Sequence, residues 1–128
     1  MFCVCDVDDT DAQTVRQALQ IARNSNITLC LSTRSFEVWI ALHWCKISLA
    51  PLTCEADAIS LVAKHHAAYC KKAKEVDFDV LFPLTTEACR NASWLEKQGI
   101  ANPATDVHNL IYKLVQTYQK RLKTKNKQ

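Results

Sequence analysis

Short apolar runs alternate with a segment of helical periodicity in the first quarter of the chain. Residues 2–5 are apolar and are followed at once by a polar turn, which predicts a buried strand. Over residues 11–24 the apolar positions recur at helical spacing, with Asp11 or Thr10 available as the N-cap. Residues 27–31 are a second apolar run of strand length. This order predicts a βαβ unit, in which a right-handed crossover joins two parallel strands.

Helical patterns dominate the rest of the chain. Four further helices are predicted, over residues 36–44, 54–73, about 86–98 and about 104–123. The last of them is expected to bury Val107, Leu110, Ile111, Leu114 and Tyr118. Residues 77–82 fit a short strand or a helical turn. The predicted fold class is therefore α/β: a small parallel sheet flanked by four to five helices, in a single domain over residues 1–128 with a helix-rich C-terminal half.

The predicted sheet is small for a parallel one. Parallel sheets are covered on both faces and have more than two strands, so the two predicted strands suggest that a third strand is missing from the sequence. Because the sequence begins almost at its first strand, the pattern also indicates a domain truncated at its N-terminus. An exposed parallel edge favours pairing with a second copy, so a homodimer is a further expectation.

Composition narrows the classes of function. The chain has 128 residues, of which 48% are apolar and one is a glycine, which excludes a Gly-rich phosphate-binding loop. Its seven cysteines follow no zinc-binding pattern and no secretory leader precedes the first strand, so free structural thiols are favoured over disulfides, metal binding or redox chemistry. No apolar stretch is long enough to cross a bilayer. We expect a soluble, cytoplasmic protein without a membrane partner.

Charge is unevenly distributed, although the net charge is only +3. Acidic residues crowd the loop after the first strand, and a basic tail over residues 120–128 contains Lys120, Arg121 and Lys123. These three side chains are candidates for binding nucleic acid through its phosphates. The alternative is a frayed helix end, where cations suit the helix dipole and lysines keep the chain soluble. No aromatic residues are interleaved with the lysines, which favours the alternative.

The acidic loop is the first candidate site. Asp6 and Asp8 follow the first strand, and ligands of open α/β sheets bind at the carboxyl ends of the strands. Two carboxylates at alternate positions can reach one hard cation such as Mg²⁺, which is held by one or two carboxylates together with waters and substrate phosphates. A solvated acidic turn that caps the next helix explains the same residues equally well.

A second candidate group follows the second strand. Glu37 lies in the first turn of the predicted helix, and it lies beside Asp6 if the two strands are neighbours. Asp6, Asp8 and Glu37 would then form the kind of carboxylate cluster that serves metal-dependent phosphoryl transfer. His43 is on another face of the same helix and fits a buried, supporting histidine better than a metal ligand.

Three motifs in this order resemble the RloB-like proteins, a bacterial and archaeal family associated with restriction-modification and abortive-infection loci. They are residues 3–9 (CVCDVDD), residues 36–43 with the pattern F-E-x-W-x-x-x-H, and residues 102–110, which resemble N-P-x-T-x-V-H-x-L. The resemblance extends from residue 2 to about residue 114. The core of the family is similar to Toprim domains, which pair a strand carrying a catalytic Glu with a D-x-D strand that binds Mg²⁺.

The resemblance implies a role for each matching residue. Asp6 and Asp8 correspond to the D-x-D positions and would hold Mg²⁺, Glu37 would assist, and His43 would support them or carry a proton. The family's upstream acidic segment has no counterpart in this sequence, and residues 32–35 (STRS) replace its S-N-P-x turn. The expected function is a Toprim-like, Mg²⁺-dependent nuclease-type domain of a phage-defence protein acting on phosphodiesters, active or degenerate. The alternative is a non-catalytic defence-associated module that binds protein or nucleic acid.

Overall fold

A computed structural model describes residues 1–126, so the last two residues of the basic tail lie outside the described residues. The elements in chain order are β1 (Phe2–Asp6), α1 (Ala12–Asn24), β2 (Thr28–Thr33), α2 (Glu37–Ala41), α3 (Glu55–Ala63), α4 (Phe78–Leu81), a 3-10 turn (Phe82–Leu84), α5 (Thr85–Lys97), β3 (Ala104–Thr105) and α6 (Val107–Asn126). The predicted α/β fold class with its helix-rich C-terminal half is confirmed.

The first three elements form the predicted βαβ unit. β1 and β2 pair in parallel, with Asp6 at the end of β1 opposite Ser32. Between them, α1 begins after the N-cap Asp11, whose carboxylate accepts a hydrogen bond from the Thr14 N–H at 2.8 Å. This cap satisfies one of the amide groups that the first turn of a helix leaves unpaired. Both strands and the helix between them follow from local sequence pattern alone.

The third strand is short and antiparallel, so the sheet is mixed rather than purely parallel. β3 pairs with β2 through Ser32 opposite Thr105 and Thr33 opposite Ala104, in a segment that the sequence pattern assigned to the last helix. The helix begins only at Val107 because the Thr105 hydroxyl is engaged on both sides: it lies 2.8 Å from the Ser32 hydroxyl and accepts from the Val107 N–H at 3.3 Å. The sheet therefore has a third strand within the chain, where the sequence pattern suggested that one was missing, and the predicted start of the last helix was wrong.

The core is built around α2. Val38, Ala41 and Leu42 have no exposed surface, and the helix packs against the sheet, α3 and α5. The chain continues from the end of α2 as turns to Trp44, so the helix is shorter than predicted. Trp39 is also buried, with 5% of its surface exposed. Packing on several sides fixes α2 and thereby the side chains at its start.

Helix α3 is the largest departure from the predicted elements. It ends at Ala63 rather than at residue 73, and residues 64–77 form turns and irregular structure. Tyr69 in this segment is buried with 4% exposed, and Lys74 forms an ion pair with the start of α2. These tertiary contacts outweigh the helical propensity of the segment. Further along, residues 77–82 contain a helical turn, α4, rather than a strand.

Gly99, the single glycine, follows the end of α5. Its φ is +69°, the left-handed conformation that commonly ends a helix and that glycine adopts without strain. The turn leads from α5 towards β3, which pairs with β2 and so closes the C-terminal half onto the sheet.

The seven cysteines are free thiols. Cys30 and Cys89 are buried, as expected of small core hydrophobes, and burial raises the pKa of each thiol. Four other cysteines have exposed side chains and therefore do not belong to the core. They are Cys3, Cys45, Cys54 and Cys70.

Helix α6 extends away from the rest of the fold. Its buried residues are Val107 and His108 in the first turn, and residues 112–126 are all exposed. Leu114 and Tyr118, predicted to be buried, are 57% and 63% exposed. The prediction was wrong because periodicity identifies an apolar face without identifying what covers it. Among the described residues, no helix has the length and apolar character needed to cross a membrane.

Candidate functional site

The acidic loop after β1 and the start of α2 meet at one end of the sheet. Because β1 and β2 are parallel, their carboxyl ends both lie here. The Asp6 carboxylate accepts a hydrogen bond from the Phe36 N–H at 2.9 Å, which joins the end of β1 to the start of α2. A cleft of about 450 Å³ opens at this junction, and its lining includes Asp6, Glu37, His43 and Lys74. The structure thus brings three of the predicted site residues into one cleft.

Glu37 is buried in the wall of the cleft, with 4% of its surface exposed. Its Oε2 accepts a hydrogen bond from the Ser35 hydroxyl at 2.6 Å. Its Oε1 accepts from the Tyr69 hydroxyl at 3.0 Å and lies 3.2 Å from the Lys74 ammonium. Burial by itself would raise the pKa of Glu37, but the hydrogen bonds from these partners outweigh burial and the pKa is lowered. Glu37 is therefore ionised at neutral pH and fixed in orientation.

Tyr69 and Lys74 belong to this site and were missed by sequence reasoning. Lys74 also lies 3.1 Å from Glu55, and its pKa is raised, chiefly by the hydrogen bond to Glu55, with burial opposing and Glu37 adding to the shift. Burial and the Glu37 carboxylate raise the pKa of Tyr69, so its hydroxyl stays protonated and donates. Both residues lie in the 64–77 segment, where no motif marks them as site residues.

Asp6 and Asp8 are near one another, but only Asp6 lines the cleft. Burial raises the pKa of Asp6; the Phe36 N–H opposes the shift, while the charges of Asp8 and Glu37 add to it. Asp8 has a left-handed backbone with φ of 49° and an exposed side chain. Its N–H donates to the Arg34 carbonyl at 2.7 Å. The acidic loop is thus held by backbone contacts to the turn before α2, and the Asp8 side chain is left in solvent.

Asp6 is the carboxylate of the cleft with an oxygen left for a hard cation, because Glu37 uses both of its oxygens internally and Asp8 lies outside the cleft lining. Within residues 1–126, no group of three Asp, Glu, His or Cys side chains is arranged to hold a metal ion. Asp6 uses one oxygen for the Phe36 N–H, whereas Glu37 uses both oxygens internally. Mg²⁺ commonly takes one or two carboxylates and completes its shell with waters and substrate phosphates. Asp6 meets the lower limit of one carboxylate, and a second would have to come from Asp8 in the adjacent loop.

His43 lines the cleft without contacting its carboxylates. It is 3% exposed, and its Nδ1 lies 3.1 Å from the Trp39 carbonyl and 3.2 Å from the Ile40 carbonyl. Carbonyl oxygens only accept, so Nδ1 carries the proton. Burial lowers the pKa of His43, although the two carbonyls oppose the shift, and the ring is neutral. Its Nε2 lies 3.4 Å from the Thr85 hydroxyl.

The turn between β2 and α2 is held by Arg34. Its guanidinium lies 2.8 Å from the Asp9 carboxylate and 3.4 Å from the Thr53 carbonyl. Its Nε is buried without a hydrogen-bond partner, which is uncommon for a buried donor. Glu37 takes its hydrogen bonds from other residues, so the side chains of Arg34 and Glu37 stabilise different parts of this junction.

The predicted nucleic-acid-binding residues are separate from the cleft. Lys120, Arg121 and Lys123 are exposed on the last turns of α6, and the cleft lining contains no residue of α6. A phosphate bound by these side chains would therefore lie on a different surface from one bound beside Asp6.

The fold and the cleft define a small α/β domain with an acidic loop beside a buried glutamate, at the carboxyl end of two parallel strands. The chain matches the RloB-like protein family over residues 1–114. It therefore belongs to the RloB-like family. The matched region includes the acidic loop, α2 and all other cleft residues. No curated protein and no solved structure matches the chain.

Proposed function

We propose that this RloB-like chain is a Toprim-like, Mg²⁺-dependent domain of a phage-defence protein that acts on phosphodiesters. The observation that carries the proposal is the Asp6 carboxylate, which stands at the carboxyl end of β1 in a cleft shared with Glu37 and Lys74. Asp6 and Asp8 would hold the ion, which when bound would neutralise phosphate charge. Family membership supports the proposal, since the RloB-like core resembles Toprim domains.

The other cleft residues position the acidic loop and move a proton. Glu37 accepts from Ser35 and Tyr69 and pairs with Lys74, so its role is to hold α2, the 64–77 segment and the cleft wall together. His43 lines the cleft as a neutral imidazole with the proton on Nδ1. Its Nε2 is therefore the group to which we assign proton acceptance from an attacking water.

A second candidate is a non-catalytic module that binds protein or nucleic acid. The observation that favours it is the complete internal bonding of Glu37, which leaves no oxygen for a reacting group. The exposed Lys120, Arg121 and Lys123 provide a separate surface for phosphates. In this candidate the cleft is a structural junction, and binding occurs elsewhere on the chain.

Titration calorimetry with Mg²⁺ or Mn²⁺ tests the first candidate. We expect micromolar to low-millimolar binding that Asp6→Asn and Asp8→Asn each remove. Asp9→Asn is the matched control, because it removes the same charge from the same loop at a residue paired with Arg34. Binding followed by cleavage of labelled DNA or RNA supports the nuclease; binding without cleavage supports the module. Absence of metal binding in the wild type would exclude the Mg²⁺-dependent proposal.

Salt dependence tests nucleic-acid binding at α6. Changing Lys120, Arg121 and Lys123 together to Gln should flatten the dependence of the binding constant on salt, because fewer counterions are released. Lys64→Gln with Lys72→Gln is the control, since both lysines are exposed and lie outside α6. An unchanged salt slope in the α6 variant would remove this surface from the second candidate.

A further inference from the structure

Cys3 and Cys5 form a pair of thiols on β1. Residues two apart in a strand present their side chains on the same face of the sheet, and the two sulfur atoms are in contact, 3.4 Å apart. Both thiols are free. Core packing explains the buried Cys30 and Cys89, but it does not explain this pair, because Cys3 is exposed and Cys5 is only partly buried.

The spacing of the two residues allows a disulfide bond between them. A strand rises by about 3.3 Å per residue, so residues two apart have Cα atoms about 6.6 Å apart. Disulfides join residues whose Cα atoms are roughly 4.4–6.8 Å apart, most often about 5.5–6 Å. Closing the bond therefore requires β1 to shorten by up to about 1 Å between Cys3 and Cys5. A bond closed under such strain is readily reduced again.

The position of β1 in the sheet permits this shortening. The strand order is β1-β2-β3, so β1 is an edge strand and β2 is the neighbour that pairs with it. After the strand, the Val7 N–H donates to the Ser32 carbonyl at 3.0 Å and holds the acidic loop. On the amino side of Cys5, the side chains of Met1 and Val4 are 86% and 44% exposed, so little packing resists movement there. The strand can therefore shorten on that side while the acidic loop keeps its contacts.

We propose that Cys3 and Cys5 are a modification site at which a hydroperoxide oxidises the two thiols to a reversible intramolecular disulfide. Cys3 is the more exposed thiol, so its sulfur attacks the peroxide O–O bond and becomes a sulfenic acid, while the rest of the peroxide leaves as an alcohol, or as water when the oxidant is hydrogen peroxide. The Cys5 sulfur then attacks the sulfenic sulfur and displaces water. In total the two thiols lose two electrons and two protons, and the peroxide takes up both. The proposal does not depend on the proposed metal chemistry.

Two other exposed cysteines provide internal references. Cys54 and Cys70 are free and exposed like Cys3, but within residues 1–126 neither has a second cysteine sulfur in contact. A sulfenic acid formed at either residue therefore has no adjacent thiol to resolve it, and it stays open to trapping or to further oxidation. Cys45 is a poorer reference, because its sulfur lies 3.3 Å from the Nε2 atom of His65.

Peptide mass spectrometry of the whole chain after treatment with hydrogen peroxide tests the disulfide. Trypsin releases residues 1–16 as one peptide, because Arg16 is the first basic residue, and Cys3 and Cys5 are the cysteines of that peptide. We expect the peptide to lose two hydrogen masses and to resist alkylation, and we expect dithiothreitol to reverse both changes. A peptide that is still fully alkylated after Cys54 and Cys70 have been oxidised, or that is linked to a second chain, would overturn the proposal.

Trapping of the sulfenic acid with dimedone tests the roles of the two cysteines. Cys5→Ser removes the resolving thiol, so dimedone labelling of Cys3 should rise at least about tenfold over the wild type, because a thiol in contact reacts at a high effective concentration. Cys5→Ala should give the same rise, and circular dichroism checks that both variants are folded. Cys70→Ser removes an exposed thiol elsewhere and should leave the labelling of Cys3 unchanged, while Cys54 should be labelled equally in all four proteins. Equal labelling of Cys3 in the wild type and in both Cys5 variants would overturn the proposal.

Discussion

Replacing Glu37 by glutamine removes one buried charge while keeping the shape of the side chain. Glu37 is 4% exposed and bonded to Ser35, Tyr69 and Lys74. A glutamine side chain keeps one accepting oxygen, but its amide group donates. The hydroxyls of Ser35 and Tyr69 can rotate to accept from that amide. Lys74 can only donate, so it loses its charged partner at the cleft or competes for the remaining oxygen.

The expected loss follows from these contacts. A hydrogen bond to a charged group contributes about 1.5–3 kcal/mol, and a neutral one about 1 kcal/mol. The Lys74 side chain is 41% exposed, so water compensates part of its loss. We expect Glu37→Gln to lower the free energy of unfolding by about 2–3 kcal/mol at neutral pH. Tyr69→Phe removes a single donor to the same carboxylate and should cost about 1–2 kcal/mol.

Urea unfolding followed by tryptophan fluorescence measures both variants. In a double-mutant cycle, Glu37→Gln and Tyr69→Phe should be coupled by about 1 kcal/mol, because the first change removes the charge from the hydrogen bond between the two residues and the second removes the bond itself. A charge retained for function at the expense of stability behaves differently: its removal is neutral or stabilising. A Glu37→Gln variant as stable as the wild type would therefore refute the structural role assigned to Glu37 and favour a direct role in chemistry.

The same variant has a defined pH dependence. The folded-state pKa of Glu37 lies below its ordinary value of 4.5. A carboxylate whose pKa is lower in the folded chain than in the unfolded chain stabilises the fold. This stabilisation is complete when the pH is above the unfolded-state pKa, and it is lost as the pH falls through the folded-state pKa. The stability difference between the wild type and Glu37→Gln should thus be constant above pH 4.5 and shrink below it. A difference that shrinks near neutral pH would contradict the assigned ionisation.

Two other residues give independent predictions. Burial lowers the pKa of His43 below its ordinary 6.5, so protonation of this side chain favours the unfolded chain. The free energy of unfolding of the wild type should therefore fall as the pH drops below 6.5. Urea titrations of His43→Gln should not show this fall. An equal fall in both proteins would show that another group is responsible. Asp11→Ala removes the N-cap of α1 and should cost about 1 kcal/mol in the same assay, whereas Asp11→Asn should cost less; equal losses would contradict the capping role.

Local pattern predicted the part of the site that lies close to β1 and β2. A short apolar run followed by acidic residues is enough to place Asp6 at the end of a strand, and a second run places Glu37 at the start of the next helix. The parallel pairing of the two strands then brings both residues to one edge. Tyr69 is different, because it reaches Glu37 across 32 residues of sequence. Its contact depends on where α3 ends, and tertiary packing rather than helix propensity determines that end.

In the C-terminal half, too, the local sequence pattern does not predict which elements contact one another. The periodicity of α6 correctly predicts an apolar face, but Leu114 and Tyr118 on that face remain exposed. Similarly, the segment before α6 has the composition of a helix, yet Thr105 pairs with Ser32 on β2 instead. In both cases the sequence specifies which residues are apolar or polar, and the identity of the partner is set by contacts between elements distant in the chain.

The charges of the cleft constrain both candidate functions in the same way. Asp6 faces the opening with Glu37 beside it, and the nearest cation, Lys74, is already shared between Glu37 and Glu55. A phosphodiester entering the cleft therefore meets uncompensated negative charge. Phosphate binding there requires an added cation whether or not a reaction follows, and a chelator should abolish it. Phosphate binding at Lys120 on α6 needs no such ion, so sensitivity to a chelator distinguishes the two surfaces before any catalysis is measured.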